Sequence, residues 1–113
     1  MTEPQPLTAD ELAFDVLRAG VARAGDVPVL IVNEPIFIAD GANSDVRYNA
    51  FYPRWAYDAY RDLLIEVAAV EGWALLDVWN LLPQEAFTDS PVHITAEGVQ
   101  ALAEAILVQM PLP

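Results

Sequence analysis

Two short apolar segments, residues 27–32 and 73–79, restrict the fold of this chain more than any other feature of its sequence. Apolar side chains at consecutive positions are typical of strands that are covered on both faces of a parallel sheet. Parallel strands need a long crossover between them, and residues 53–72 supply one with helical spacing of apolar residues. The pattern therefore predicts an α/β fold in which both strands are buried.

Three helical patterns accompany the two predicted strands. The first covers residues 9–24, where Thr8 and Glu11 have the spacing of a capping box. The second starts at Pro53 and ends at Gly72, a residue suited to the left-handed conformation that terminates helices. Its predicted apolar stripe consists of Ala56, Tyr57, Tyr60, Leu63, Leu64, Val67 and Ala68.

The third helical pattern covers residues 96–109, and Thr95 is placed to cap it. Its predicted inward-facing residues are Val99, Leu102, Ala103, Ile106 and Leu107. The elements thus follow the order helix, strand, long loop, helix, strand, loop and helix. This alternation is typical of an α/β domain with a parallel sheet.

Two strands are too few for an independent parallel sheet, because each buried strand needs neighbours and cover on both faces. A length of 113 residues fits one domain at most. Residues 1–113 are therefore predicted to form a single partial α/β domain, with residues 1–7 disordered ahead of the first helix. The chain is either a fragment of a larger domain or completes its sheet by association, as a homo-oligomer or with a partner chain.

The charge of the chain limits its partners. With 17 acidic and 5 basic residues its net charge is -12, which repels the phosphates of nucleic acids and anionic lipids, so we expect neither as a partner. No segment has the length of a membrane-spanning helix, residues 1–6 do not resemble a signal peptide, and the compartment stays open. One histidine and no cysteine leave too few ligands for a zinc site, so no metal and no cofactor are expected.

The loop of residues 33–52 is longer than most connections, and it enters the second helix through aromatic residues grouped around Arg47 and Arg54. One interpretation is structural: the aromatics pack the loop onto the sheet edge, and the arginines pair with Glu34 or Asp45. The alternative is a substrate pocket in which aromatics contact a sugar ring or an acyl chain and an arginine meets an anionic group. The candidate substrate-binding residues are Glu34, Arg47, Tyr52 and Trp55.

Asp89 and His93 lie in the segment that follows the second predicted strand. In open α/β sheets ligands bind beyond the carboxyl ends of the strands, and both segments leaving the strands open onto that edge. His93 could act as a general base because imidazole titrates near neutrality, and Asp89 could accept its other ring N–H. The structural alternatives are an exposed loop histidine and a turn-forming aspartate.

The stretch Phe-Thr-Asp-Ser-Pro-Val-His-Ile-Thr-Ala-Glu-Gly, residues 87–98, resembles the last sequence block of the SGNH (GDSL-type) hydrolases. The preceding strand, loop, helix and strand also look like that family's last two strands, so the resemblance spans residues 9–109. It implies a three-layer, flavodoxin-like parallel sheet with flanking helices, of which this chain holds the C-terminal portion with two strands and three main helices. It also implies ester hydrolysis with His93 as general base and Asp89 as its orienting acid, on carboxylic esters such as acetylated carbohydrates and lipids.

The chain departs from the family pattern at two points. The usual spacing is Asp-x-x-His, whereas three residues separate Asp89 from His93. The Gly-Asp-Ser-like nucleophile block and the oxyanion-hole residues have no match, and neither Ser44 nor Ser90 has the strand-to-helix setting of a nucleophile. The isolated chain is therefore expected to be inactive on esters. Two other hypotheses stand beside this one: a non-catalytic α/β module that binds a partner, and a relative of cell-surface polysaccharide O-acetylation proteins.

Overall fold

The structure of the chain, a computed structural model, describes residues 6–110; residues 1–5, which belong to the predicted disordered tail, lie outside the described residues. The order of elements is the predicted one, with two added 3₁₀ turns. In chain order these are the turn Ala9–Glu11, helix α1 (Phe14–Ala24), strand β1 (Leu30–Asn33), helix α2 (Arg54–Glu71), strand β2 (Ala74–Asp77), the turn Gln84–Ala86 and helix α3 (Ala96–Gln109).

Strands β1 and β2 pair in parallel, in a register that runs from Leu30 opposite Ala74 to Asn33 opposite Asp77. Helix α2 is the crossover between them, so the predicted α/β class is confirmed as a small two-stranded parallel sheet with three α-helices. Strand β1 begins three residues later than predicted, and Val27 is exposed to solvent. Pro28 explains the late start, since it has no N–H to donate to a ladder.

The first predicted helix is divided in two. The backbone of Leu12 is extended (φ -111°, ψ 161°), which separates the turn Ala9–Glu11 from α1. The Glu11 carboxylate accepts a hydrogen bond from the backbone N–H of Thr8, as expected of the capping box. The break brings Phe14, at the start of α1, into the core beside Leu64 and Val67 of α2.

Helix α2 has the predicted bounds. Gly72 ends it in the left-handed conformation with φ 73°, and its N–H donates to the Ala68 carbonyl. The predicted apolar stripe is confirmed, because all of its residues are buried or half-buried; the fully buried ones are Tyr57, Leu64, Val67 and Ala68.

Helix α3 also has the predicted bounds and cap, with Thr95 Oγ1 accepting from Gly98 N at 3.1 Å. Its predicted inward face is wrong, because Val99 is 54% exposed and Leu107 72% exposed. Ala103 is exposed as well, and only Leu102 and Ile106 of the predicted face are half-buried. The buried residue is Gly98: a Cβ there would lie 3.1 Å from Ile94 Cβ and 3.3 Å from the Ala86 carbonyl oxygen, so the missing side chain allows the start of α3 to pack closely on these residues.

The molecule is flat. Its principal extents are 47 × 36 × 18 Å and its radius of gyration is 15.5 Å, whereas a compact chain of this length has a radius of about 13 Å. The prediction that both strands are buried is wrong within this chain, since the apolar residues of β1 are only half-buried and Ala74 of β2 is exposed. The sheet is therefore open, with apolar surface left on its strands.

Candidate active site

Residues 87–95 form a closed loop that carries the candidate catalytic pair. An isolated antiparallel bridge joins Phe87 to Ile94, and Thr88 N donates to the His93 carbonyl at 2.9 Å. Inside the loop, Ser90 Oγ accepts from His93 N at 3.1 Å, a local side-chain turn of the kind that serine favours. These contacts bring the two ends of the loop together. Asp89 and His93 therefore lie side by side, although three residues separate them in the sequence.

The predicted contact between Asp89 and His93 is present. Nδ1 of His93 lies 2.8 Å from Oδ1 of Asp89, and the two side chains are 66% and 80% exposed. The hydrogen bond to His93, followed by one from the Thr88 hydroxyl at 3.1 Å, holds the pKa of Asp89 below its usual value. An ionised carboxylate at Nδ1 favours the tautomer with the proton on that nitrogen, which leaves Nε2 as a proton acceptor.

The loop is attached to the chain that leaves β1. Phe37 N donates to the Pro91 carbonyl at 2.8 Å, and the rings of Phe37 and Phe87 meet edge to face with centroids 5.6 Å apart. Val92 packs against the core cluster that contains Ile36. The segments that follow β1 and β2 therefore meet beyond the carboxyl ends of the two strands, where ligands bind in open α/β folds.

Neither serine of the chain is positioned as a nucleophile for this pair. The Ser90 hydroxyl accepts from the backbone N–H groups of Val92 and His93. The hydrogen bonds of His93 within residues 6–110 do not include Ser44, whose carbonyl accepts from Arg54 Nε. As far as the described residues extend, no hydrogen bond joins either serine hydroxyl to the His93 ring.

A polar network occupies the ends of both strands, and we call it the strand-end network. Asn33 is buried and donates through Nδ2 to Asp77 Oδ1 at 2.9 Å and to the Tyr57 hydroxyl at 3.1 Å. Its Oδ1 accepts from the Tyr60 hydroxyl at 2.9 Å. Arg61 completes the network with two hydrogen bonds to Asp77 Oδ2, the shorter at 2.7 Å. The network joins both strands to the crossover helix.

Burial and pairing set the protonation states in the strand-end network. Burial opposes ionisation of Asp77, but hydrogen bonds from Arg61 and Asn33 outweigh it and hold its pKa below the usual value. Burial raises the pKa of Tyr57 to about 12. This network was not predicted from the sequence. Its only signal there is one polar residue at the end of each apolar strand, Asn33 in β1 and Asp77 in β2.

The four predicted substrate-binding residues lie on two adjacent cavities instead of one pocket. Glu34 and Tyr52 line a mainly apolar cavity of about 460 Å³. Arg47 and Trp55 line a second cavity of about 820 Å³. Phe51 and Pro53 line both cavities, and neither cavity is lined by Asp89 or His93.

The structural interpretation of the aromatic loop is partly confirmed. Tyr48 and Tyr57 are buried together, with ring centroids 5.7 Å apart. The proposed arginine pairing is wrong, because neither Arg47 nor Arg54 forms an ion pair with any residue of the described range 6–110. The guanidinium of Arg54 instead lies over the Tyr48 ring, 4.5 Å from its centroid.

No family model matches the chain, and no match was found among curated proteins or among solved structures. In the part of the chain that the structure describes, no helix is long and apolar enough to cross a membrane. Within the same residues, no group of three or more histidine, cysteine, aspartate or glutamate side chains is arranged to hold a metal ion.

Proposed function

We propose that this chain supplies the acid–base half of a serine ester hydrolase site. The observation that carries the proposal is the 2.8 Å contact between Asp89 Oδ1 and His93 Nδ1, which leaves an imidazole that is 66% exposed. No residue within 6–110 hydrogen-bonds to Nε2, so this nitrogen is available to a group from outside the loop.

Each residue of the pair has one task in this mechanism. Nε2 of His93 takes the proton of a serine hydroxyl as its oxygen attacks the ester carbonyl carbon, and later gives that proton to the leaving alcohol. The carboxylate of Asp89 stabilises the imidazolium that forms between the two transfers. A water molecule then releases the acid from the acyl-serine, with His93 again acting as base. The substrates would be carboxylic esters, including acetylated carbohydrates and lipids.

The serine would come from the segment or chain that completes the sheet. Two observations support completion: the described residues pair β1 only with β2, and the molecule is 18 Å across its shortest dimension. Facing layers of a sheet and its helices lie about 10 Å apart, so a helix layer on each face of a sheet would need more depth than this. The complete site would then belong to a three-layer, flavodoxin-like sheet.

The open sheet edge also favours a second candidate function, that of a non-catalytic module that binds a partner chain. The apolar residues of β1 are half-buried, and the far side of this strand has backbone groups suited to pairing with another strand. In this function the Asp89 and His93 pair would be a structural element of its loop.

One experiment separates the two functions. The chain is expressed alone and also together with any coding sequence found directly upstream in its gene, and both proteins are assayed for p-nitrophenyl acetate hydrolysis and for labelling by a fluorophosphonate. We expect turnover and labelling in the longer protein only, with turnover lost in His93→Ala and reduced in Asp89→Asn. Glu97→Gln, which removes an exposed carboxylate from the first turn of α3, is the matched control and should leave turnover unchanged.

Two results would contradict the hydrolase proposal. One is a longer protein that neither hydrolyses the ester nor reacts with the fluorophosphonate, which would favour the binding module. The other is turnover that survives His93→Ala, because the proton transfers would then not depend on this imidazole.

A further inference from the structure

We propose that the cavity beside the aromatic loop binds an oxyanion, a carboxylate or a phosphate, carried on an organic molecule. We call it the arginine cavity; it has a volume of about 820 Å³, and its lining includes Arg47, Phe51, Arg54 and Trp55. The site lies outside the Asp89 and His93 loop, so it does not rest on the proposed hydrolase function.

The charges of the chain make this cavity unusual. The protein has 17 acidic residues and only 5 basic ones, so a nearby carboxylate is easily found for an arginine. Arg18 and Arg61 both form such ion pairs. Arg47 and Arg54 line the same cavity and form none within residues 6–110, although Asp45 is also part of its wall. Arg23 also lacks an ion pair within these residues, but Arg47 and Arg54 lie on the wall of one cavity, where a single anion from outside the chain could contact both.

The guanidinium of Arg54 is held in place from two sides. It lies 4.5 Å from the centroid of the Tyr48 ring, and its Nε donates to the Ser44 carbonyl at 2.7 Å. Tyr48 is itself buried and donates its hydroxyl to Asp58. The terminal nitrogens of Arg54 have no hydrogen-bond partner within residues 6–110. A planar guanidinium fixed in this way presents two parallel N–H groups, the geometry that carboxylate and phosphate oxygens accept.

The side chain of Trp55 forms part of the cavity wall, so its indole resonance can report binding there. Its Nε1 is closed to solvent, so the polar contacts to the anion come from the two arginines. The cavity wall also contains Phe51 and Pro53, which offer apolar contact to the body that carries the anion.

The overall charge of -12 does not prevent such binding. Charges exposed to solvent are screened beyond about 8 Å at physiological ionic strength, so an anion within the cavity experiences mainly the charged residues of the wall. These are two arginines, Arg47 and Arg54, against one carboxylate, Asp45. The negative net charge should lower the rate at which the anion associates at low salt. It should not abolish the favourable contacts that the bound anion makes in the cavity.

The test uses the ¹H–¹⁵N spectrum of the protein, in which each of its three tryptophans gives one indole resonance. Trp55→Phe identifies the Trp55 resonance. The protein is titrated with glucuronate and with inorganic phosphate, against sodium chloride at equal ionic strength and against glucose. We expect the Trp55 resonance to shift saturably with an oxyanion and to stay in place with chloride and glucose.

Arginine variants then locate the binding. Arg47→Gln and Arg54→Gln should each weaken binding at least tenfold, while Arg23→Gln should leave it unchanged. Arg23 is the matched control because it is exposed on α1 and forms no ion pair within residues 6–110. Arg47 is exposed, so its replacement does not disturb the core and the test survives if Arg54→Gln fails to fold.

The outcomes assign the ligand or reject the site. Tighter binding of glucuronate assigns a carboxylate on a sugar ring, and tighter binding of phosphate assigns a phosphate group. The proposal is overturned if neither oxyanion saturates the Trp55 shift, if chloride produces the same shift, or if Arg23→Gln weakens binding as much as Arg47→Gln does.

Discussion

The ion pair between Arg61 and Asp77 should stabilise the fold far more than the one between Arg18 and Glu71. Both pairs join an arginine to a carboxylate, with shortest distances of 2.7 Å and 2.9 Å. They differ in burial, since the side chains are 23% and 15% exposed in the first pair and 41% and 35% exposed in the second. They also differ in hydrogen bonding, since Asp77 accepts two hydrogen bonds from Arg61, whereas Glu71 accepts one from Arg18. Both differences favour the buried pair.

The expected magnitudes come from that difference in burial. Charge-assisted hydrogen bonds contribute about 1.5–3 kcal/mol each when protected from water, and Asp77 Oδ2 receives two from Arg61. Removing one member of a fully buried pair costs about 3–5 kcal/mol, and exposed pairs contribute about 0.2–1 kcal/mol. For this partly buried pair we expect a coupling free energy of about 2 kcal/mol, against about 0.5 kcal/mol for the exposed pair.

A double-mutant cycle measures each coupling. Arg61→Met and Asp77→Asn are made singly and together, and the free energy of unfolding is obtained from urea denaturation followed by circular dichroism. Arg18→Met and Glu71→Gln form the parallel cycle. The Arg61 guanidinium lies over the Trp79 ring, 4.6 Å from its centroid. Arg61→Met removes this contact in the single and in the double variant alike, so its contribution cancels from the coupling free energy.

The same pair gives a pH dependence with a definite sign. The folded pKa of Asp77 is lowered, so its contribution is present above the unfolded value of about 3.9 and is lost as pH falls through the folded value. The stability difference between the wild type and Asp77→Asn should therefore narrow on acidification to about pH 3. Two results would refute the reasoning from burial. One is an equal coupling free energy in the two cycles; the other is a difference in unfolding free energy between the wild type and Asp77→Asn that stays the same in acid.

Four further predictions concern single residues. In the neutral imidazole of His93 the ring proton should reside on Nδ1, because Asp89 accepts a hydrogen bond from that nitrogen. Asp89→Ala should increase the fraction of the tautomer with the proton on Nε2, measured by the ¹⁵N chemical shifts of the ring. An unchanged tautomer ratio would count against the contact. Gly20→Ala should stabilise the protein by about 0.5–1 kcal/mol in urea denaturation, since nothing lies within 4 Å of the added Cβ in this helix. Gly98→Ala should destabilise it by about 1–3 kcal/mol, because the added Cβ would lie 3.1 Å from Ile94 Cβ; two effects of the same sign would contradict the packing described. Burial raises the pKa of Tyr57 to about 12. Its contribution to the free energy of unfolding should therefore be fully present below the pKa of about 10 in the unfolded state and be lost as pH rises through the pKa in the folded state. Tyr57→Phe should flatten that fall in pH-dependent urea denaturation, and an equally steep fall in the variant would show that other groups cause it.

Helices α2 and α3 could be predicted from the sequence because their caps are local signals, whereas the break at Leu12 in the first predicted helix was not predicted. Pro53, Gly72 and Thr95 act within one turn of the chain, and they mark both ends of α2 and the start of α3. The contact between Asp89 and His93 was predictable for the same reason, since both belong to one closed loop.

Features that depend on distant parts of the chain were not predictable in this way. The inward face of α3 is decided by the contact of Gly98 with Leu82 and Ile94, whereas periodicity alone favoured the larger side chains. The strand-end network depends on the parallel register that sets Asn33 opposite Asp77. Register becomes known only when the strands pair, so a single polar residue in each strand carried little information.

The hydrogen bond from Phe37 N to the Pro91 carbonyl has a consequence for how this chain tolerates change. Together with the bridge between Phe87 and Ile94, it fixes the loop of the candidate pair to the chain leaving β1. The side chains of Asn80 and Leu81, in the connection from β2, are exposed and take no part in these contacts. Insertions at this turn should therefore leave the imidazole where it is, and related proteins could differ in length there and keep the same site.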